Sequence, residues 1–182
     1  MAASMAILGA VAPSQASYLL EFTESGADVV AFGSGSLDLD GFEFPGIPRN
    51  YLSDLNPLAG IAYIHMHFGA FEYSGISGPG SFGTGSLSYP SSGTGDAVGV
   101  GNGALVVPED YVSGDSLSSS STWTGASFAS LGLTPGTYTW TWGEGANADS
   151  FTISIVPEPS SAGLLALGLV ALASRRCRIP KE

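Results

Sequence analysis

The chain has 182 residues, 12% of them charged and 26 of them glycine, with a formal net charge of −11 at pH 7, enough for one domain with a core plus terminal appendages. Of 16 acidic residues only Glu182 lies beyond position 174, and of five basic residues only Arg49 lies before it. Such a body cannot neutralise phosphates through Lys and Arg, which excludes nucleic acid as a partner, and its single cysteine, Cys177, excludes an internal disulfide.

The N-terminus reads MAASMAILGAVAPSQASYLL. Met5 to Ala12 is a short apolar core, followed by Pro13 and by Ser14-Gln15-Ala16, whose first and third residues are small enough for a signal-peptidase site between Ala16 and Ser17. Residues 1–16 are therefore expected to be a signal peptide. No basic residue precedes Met5, so either the n-region is atypical or the start codon lies further upstream. The competing reading is a frayed apolar terminal segment.

From 17 to 155, short aromatic and β-branched runs alternate with Gly, Ser and Pro turns, and no Leu/Lys/Glu-rich helical stretch occurs. This pattern predicts an all-β body, an antiparallel β-sandwich of the jelly-roll or immunoglobulin-like kind. In SLDLDGFEF, Leu37, Leu39, Phe42 and Phe44 alternate with Asp38 and Glu43 around Asp40-Gly41, a type I′ hairpin signature. A two-residue loop sets Asp38 opposite Glu43, and facing carboxylates repel unless a cation lies between them. Asp38, Asp40 and Glu43 are thus calcium candidates, short of an EF-hand in acidic positions and spacing; the alternative is an exposed hairpin that tolerates the repulsion.

IAYIHMHFGAF predicts the next strand, with Ala62, Ile64, Met66 and Phe68 on an apolar face and Tyr63, His65 and His67 on the other. Two histidines at i, i+2 can chelate, but no third histidine exists to complete a zinc site, so no metal or other cofactor is expected. Phe32-Gly33-Ser34-Gly35-Ser36-Leu37 and Phe82-Gly83-Thr84-Gly85-Ser86-Leu87 match at all but one position. Similar hairpin edges explain this better than a duplicated half. Residues 75–103 are mostly Gly, Ser, Thr and Pro and predict long loops.

Gly114-Asp115-Ser116-Leu117 spells the signature of a lipase and esterase family, but no histidine follows His67. A serine nucleophile without its base is inert, so no catalytic residue is assigned and the chain is not expected to be an enzyme. The last body segment predicts a strand, a short helical turn near 127–131, a turn at Pro135-Gly136 and two strands. Tyr138, Trp140 and Trp142 share one face of the first of these, and Thr137, Thr139 and Thr141 share the other; Phe151, Ile153 and Ile155 alternate in the second. An exposed tryptophan face could stack on sugar, although a packed sheet is the default.

The chain closes on VPEPSSAGLLALGLVALASRRCRIPKE. The uninterrupted apolar run 162–173 covers roughly 18 Å as a helix, against about 30 Å of bilayer hydrocarbon. It is flanked by Val156-Pro157-Glu158-Pro159 on one side and Arg175, Arg176 and Arg178 on the other. This three-part terminus resembles the PEP-CTERM sorting signal of Gram-negative bacteria. The two prolines hold the chain extended, Ser160 or Ser161 can cap a helix that follows, and the arginines form a cytoplasmic stop.

The resemblance implies a separate C-terminal hydrophobic helix, transient residence in the inner membrane, and processing by an exosortase after signal peptidase has acted. The expected organisation is 1–16 signal peptide, 17–155 secreted body and 156–182 sorting signal, with delivery to the cell surface or beyond. Three roles stay open for the body: a matrix or biofilm component, with exopolysaccharide as a partner; a carbohydrate- or ice-binding module; and a calcium-dependent adhesin.

Overall fold

The fold was obtained as a computed structural model, which describes residues 17–42, 47–66 and 69–157. The expected signal peptide, Glu43, His67 and the tail from Glu158 onward, with its expected helix, lie outside the described residues.

Eleven strands follow in order: β1 Ser17–Ser25, β2 Asp28–Ser36, β3 Asp54–Asn56, β4 Ile61–Ile64, β5 Ala70–Ser74, β6 Ser92–Gly95, β7 Val98–Gly101, β8 Ala104–Pro108, β9 Ser116–Trp123, β10 Gly136–Trp142 and β11 Asp149–Val156. One short helix, α1 Phe128–Leu131, is capped at its start by the Ser127 side chain and closed by Gly132 in the left-handed conformation. The strands form a six-stranded sheet, ordered β10-β11-β1-β2-β9-β6, and a five-stranded sheet, ordered β3-β4-β7-β8-β5.

Strict alternation builds the core between these sheets. Tyr18, Leu20 and Phe22 of β1, Phe151, Ile153 and Ile155 of β11, and Trp140 and Trp142 of β10 point inward from the first sheet. Ala62, Ile64, Val98, Val100, Leu105 and Val107 meet them from the second. The expected helical turn and the two final strands stand where the sequence put them. A second, smaller cluster of Tyr63, Ala70 and Val106 covers the far side of the five-stranded sheet, with Tyr51, Ile61 and Met66 packed on it.

Four expectations need correction. The body is all-β in two sheets but not wholly antiparallel: β1 and β11, first and last, pair in parallel from Ser17↔Ser150 to Thr23↔Val156. At Asp40-Gly41 the turn exists, with the Phe42 N–H on the Leu39 carbonyl at 3.1 Å, but among the described residues it joins no strands. The N–H groups of Leu37, Asp38 and Leu39 donate to Tyr111 Oη, Asp149 Oδ2 and Ser113 Oγ, so this limb does not use them in a hairpin ladder.

The histidine strand stops at Ile64, because His65 takes φ 43° and leaves the extended conformation. Tyr63, on the face opposite the apolar one, is nevertheless buried. Finally, the 75–103 stretch is not all loop, since β6, β7 and a hairpin at Asn102-Gly103 fall inside it. Its first half is a strap across one open side of the sandwich. Ser77 pairs with Thr141 at the β10 edge, Gly83 with Leu133, and Ser88 with Leu55 at the β3 edge, so the strap bridges to one edge strand of each sheet.

Asp54 yields an expected result here. Its Oδ1 is buried with no hydrogen-bond partner among the described residues, and burial raises its carboxyl above the ordinary range. A carboxyl raised in the folded state carries no charge penalty while protonated. Its penalty appears as pH climbs past the unfolded value of about 3.9 and is complete above the folded value. Asp54→Asn should therefore gain stability relative to the parent as pH rises from 4 to 7 in paired urea titrations. An identical pH slope for both proteins would contradict this.

Candidate functional site

Two features of the body bear on function: the point where the tail leaves it, and the solvent side of the six-stranded sheet. The tail leaves from a core strand with almost no spacer. Ile155 pairs with Phe22 and Gly136 and is 2% exposed. The next residue, Val156, ends both the pairing and the strand, and Pro157 follows outside it. Because β1 and β11 run parallel, Ser17 and Val156 lie at opposite ends of the sandwich. The tail end carries the β1–β2 turn and α1, whose first N–H, on Phe128, donates to the Glu24 carboxylate at 2.6 Å.

The outward side chains of the same sheet are largely hydroxyls, and the register aligns them in rows. One row runs Thr139, Thr152, Leu19, Ser34, Ser118 across five strands. The next runs Thr137, Ser154, Glu21, Phe32, Ser120, Thr94 across all six. Thr139 and Thr152 hydroxyls meet at 3.1 Å, and those of Thr94 and Ser120 at 3.4 Å. In the middle, the Phe32 ring is 54% exposed and Leu19, on the neighbouring strand, is 46% exposed. The sequence shows the threonine side of β10. The serine rows are harder to see, because in SLSSSSTW alternate serines turn inward: Ser119 and Ser121 are buried, while Ser118 and Ser120 face out.

The other sequence candidates fall elsewhere. Trp140 and Trp142 are 3% and 7% exposed, so their rings belong to the core and cannot stack on a sugar. Trp142 Nε1 donates to the Asp38 carbonyl at 2.8 Å.

Asp38 Oδ1 is occupied by the Asp40 N–H at 2.7 Å and the Ser113 hydroxyl at 3.1 Å. Asp149, missed in the sequence reading, sits beside it. Its two oxygens accept from the Asp38 and Ser150 N–H groups, both at 2.6 Å. Burial nevertheless holds its carboxyl above the ordinary range, and repulsion from the Asp38 carboxylate adds to this. A cleft of about 450 Å3 lies alongside, lined by Asp40, Ser77, Thr141, Trp142, Glu144 and Asn147 among others, at the end far from the tail.

Among the described residues no group of three or more His, Cys, Asp and Glu is placed to hold a metal ion. The His65 N–H donates to Ser121 Oγ at 3.2 Å. Ser116, of the esterase-like tetrapeptide, begins a strand of the sheet. Among the described residues, no helix is long and apolar enough to cross a membrane.

These features define a two-sheet β body whose last strand runs directly into a Pro-Glu-Pro terminus. Residues 156–178 match the family model described as the PEP-CTERM protein-sorting motif. The chain carries that motif, which indicates an exported protein sorted by the exosortase pathway to the cell envelope or surface and implies processing by exosortase. No curated protein and no solved structure matches the chain.

Proposed function

We propose that the body is a non-enzymatic component of the extracellular matrix or biofilm, delivered by the exosortase route and freed from a temporary membrane stop. Residues 1–16 bring the chain to the export machinery, and signal peptidase cuts between Ala16 and Ser17. Residues 162–173 then form the short hydrophobic helix that holds the chain in the inner membrane. Arg175, Arg176 and Arg178 stay cytoplasmic, and Val156-Pro157-Glu158-Pro159 is presented to the enzyme on the exported side. One observation supports this reading above the rest: among the described residues the last core side chain is Ile155, one residue before the matched motif begins. A cut at Pro-Glu-Pro therefore leaves every buried residue of the described core in the body.

The test uses two sets of variants in the native host. Changing Arg175, Arg176 and Arg178 together to Glu should abolish the cytoplasmic stop, so that uncut protein passes through the membrane. Glu158→Ala should leave insertion intact, because Glu158 lies outside the apolar run, and should accumulate unprocessed protein in the membrane fraction. Normal processing in both sets would contradict the proposal.

A further inference from the structure

We propose that the solvent face of the six-stranded sheet is a docking surface for an extended, uncharged polysaccharide, with Phe32 as its ring platform. This deepens the matrix reading above and rests on it.

Each hydroxyl of the rows offers one donor and two acceptor lone pairs, the same capacity as a hydroxyl of a sugar ring. They recur about every 4.8 Å across the strands, over a sheet roughly 24 Å wide, enough for several sugar units. At the centre, the negative face of the exposed Phe32 ring suits the C–H face of a pyranose, and Leu19 extends the apolar spot.

Charge narrows the partner. Glu21 is the one carboxylate in the two rows, and Arg49 is the only basic residue before position 174. An anionic polymer would meet repulsion from the acidic body and no cation to offset it.

Two other occupants fit less well. Protein interfaces are enriched in Tyr, Trp, Phe, Met and Arg and depleted in Ser and Glu; Phe32 apart, this face is the reverse, which argues against a second copy. Ice requires a flat array. Six strands twisting by roughly 20–25° at each step accumulate about 100° across the sheet, and Glu21, Phe32 and Leu19 interrupt the hydroxyls. A flexible glycan can follow a twisted face; a crystal plane cannot.

The test is native affinity electrophoresis of the protein recovered from its host, in gels containing hydroxyethylcellulose, galactomannan or the anionic polymer alginate. Retardation is expected in at least one neutral polymer and not in alginate. Phe32→Ala should weaken it about tenfold. Ser34→Arg, which sets a long charged side chain in the middle of a row, should weaken it at least as much. Tyr89→Ala, an exposed aromatic outside the rows, should bind as the parent does.

No retardation in either neutral polymer would overturn the proposal, as would undiminished binding by both face variants. Concentration-dependent dimerisation lost in Phe32→Ala would instead assign the face to a second copy, and incorporation into growing ice would assign it to ice. Either result also overturns the polysaccharide reading. Failure here leaves tail processing untouched, because that is read from the variants at 158 and 175–178.

Discussion

Phe151→Ala should cost the body about 3–5 kcal/mol, the usual range for deleting a buried phenylalanine. Phe151 is fully buried as the third residue of β11, stacked on Tyr18 at 5.1 Å and edge-on to Trp140 at 6.4 Å. Phe151 and these two neighbours hang from three adjacent strands of one sheet, which cannot close over a hole without bending that sheet. A loss of this size shifts the melting temperature of a body this long by roughly 10–15 °C, readable by circular dichroism. Thr152→Ala, the next residue but on the hydroxyl side, should move it by only a degree or two. Equal shifts for the two variants would mean that β11 does not carry the core in this register.

Gly33→Ala should be nearly as damaging, for the opposite reason. A β-carbon there would lie 2.2 Å from Tyr18 Oη and 2.7 Å from two ring carbons. The ring has nowhere to go, since Tyr18 is 1% exposed, stacked on Phe151, and hydrogen-bonded to Ser119 Oγ at 2.6 Å. Overpacking together with a lost buried hydrogen bond predicts about 2–4 kcal/mol. Adding Tyr18→Phe should recover part of it by removing the closest atom. Gly80→Ala, where an added methyl meets nothing within 4 Å, is the control and should be close to neutral in urea unfolding. The same device recurs in the second sheet, where Tyr63 lies against Gly99 and Gly101. In both sheets a strand glycine is the space that a neighbouring tyrosine fills.

This arrangement shows what the sequence could and could not reveal. Alternation is a local signal, so Tyr138, Trp140 and Trp142 against Thr137, Thr139 and Thr141 were legible, as was the capped turn before them. Gly33 and Gly35 read as turn residues because nothing local says that Tyr18 will lie over them. The repeated hexapeptide misleads in the same way. Phe32 is exposed and Leu37 fully buried in the first copy, whereas Phe82 is buried and Leu87 exposed in the second. One copy sits in a strand and the other in the strap, so equal residues face opposite environments.

Turn chemistry was legible only in part. Asp40-Gly41 does turn, but side chains took up the backbone donors that a hairpin needs. Asn102-Gly103, the stronger I′ signal, with φ 54° and 73°, was hidden in a Gly-rich stretch. Parallel pairing of the first and last strands is a long-range fact with no local trace. Of the functional features, the sorting motif is contiguous and was read directly. The hydroxyl face is assembled from six strands and needed the register.

The central claim is that the tail is a processed signal and the β body is the delivered product. Intact-mass measurement of the protein recovered from the surface of its native host tests it most directly. The account predicts a chain starting near Ser17 and ending near Pro-Glu-Pro, lacking Cys177 and keeping Arg49 as its one basic residue. Residues 17–156 hold 14 acidic side chains and one basic, so the product should approach a net charge of −13. A surface protein whose mass still includes the residues through Glu182 would make the segment a permanent anchor and contradict the account.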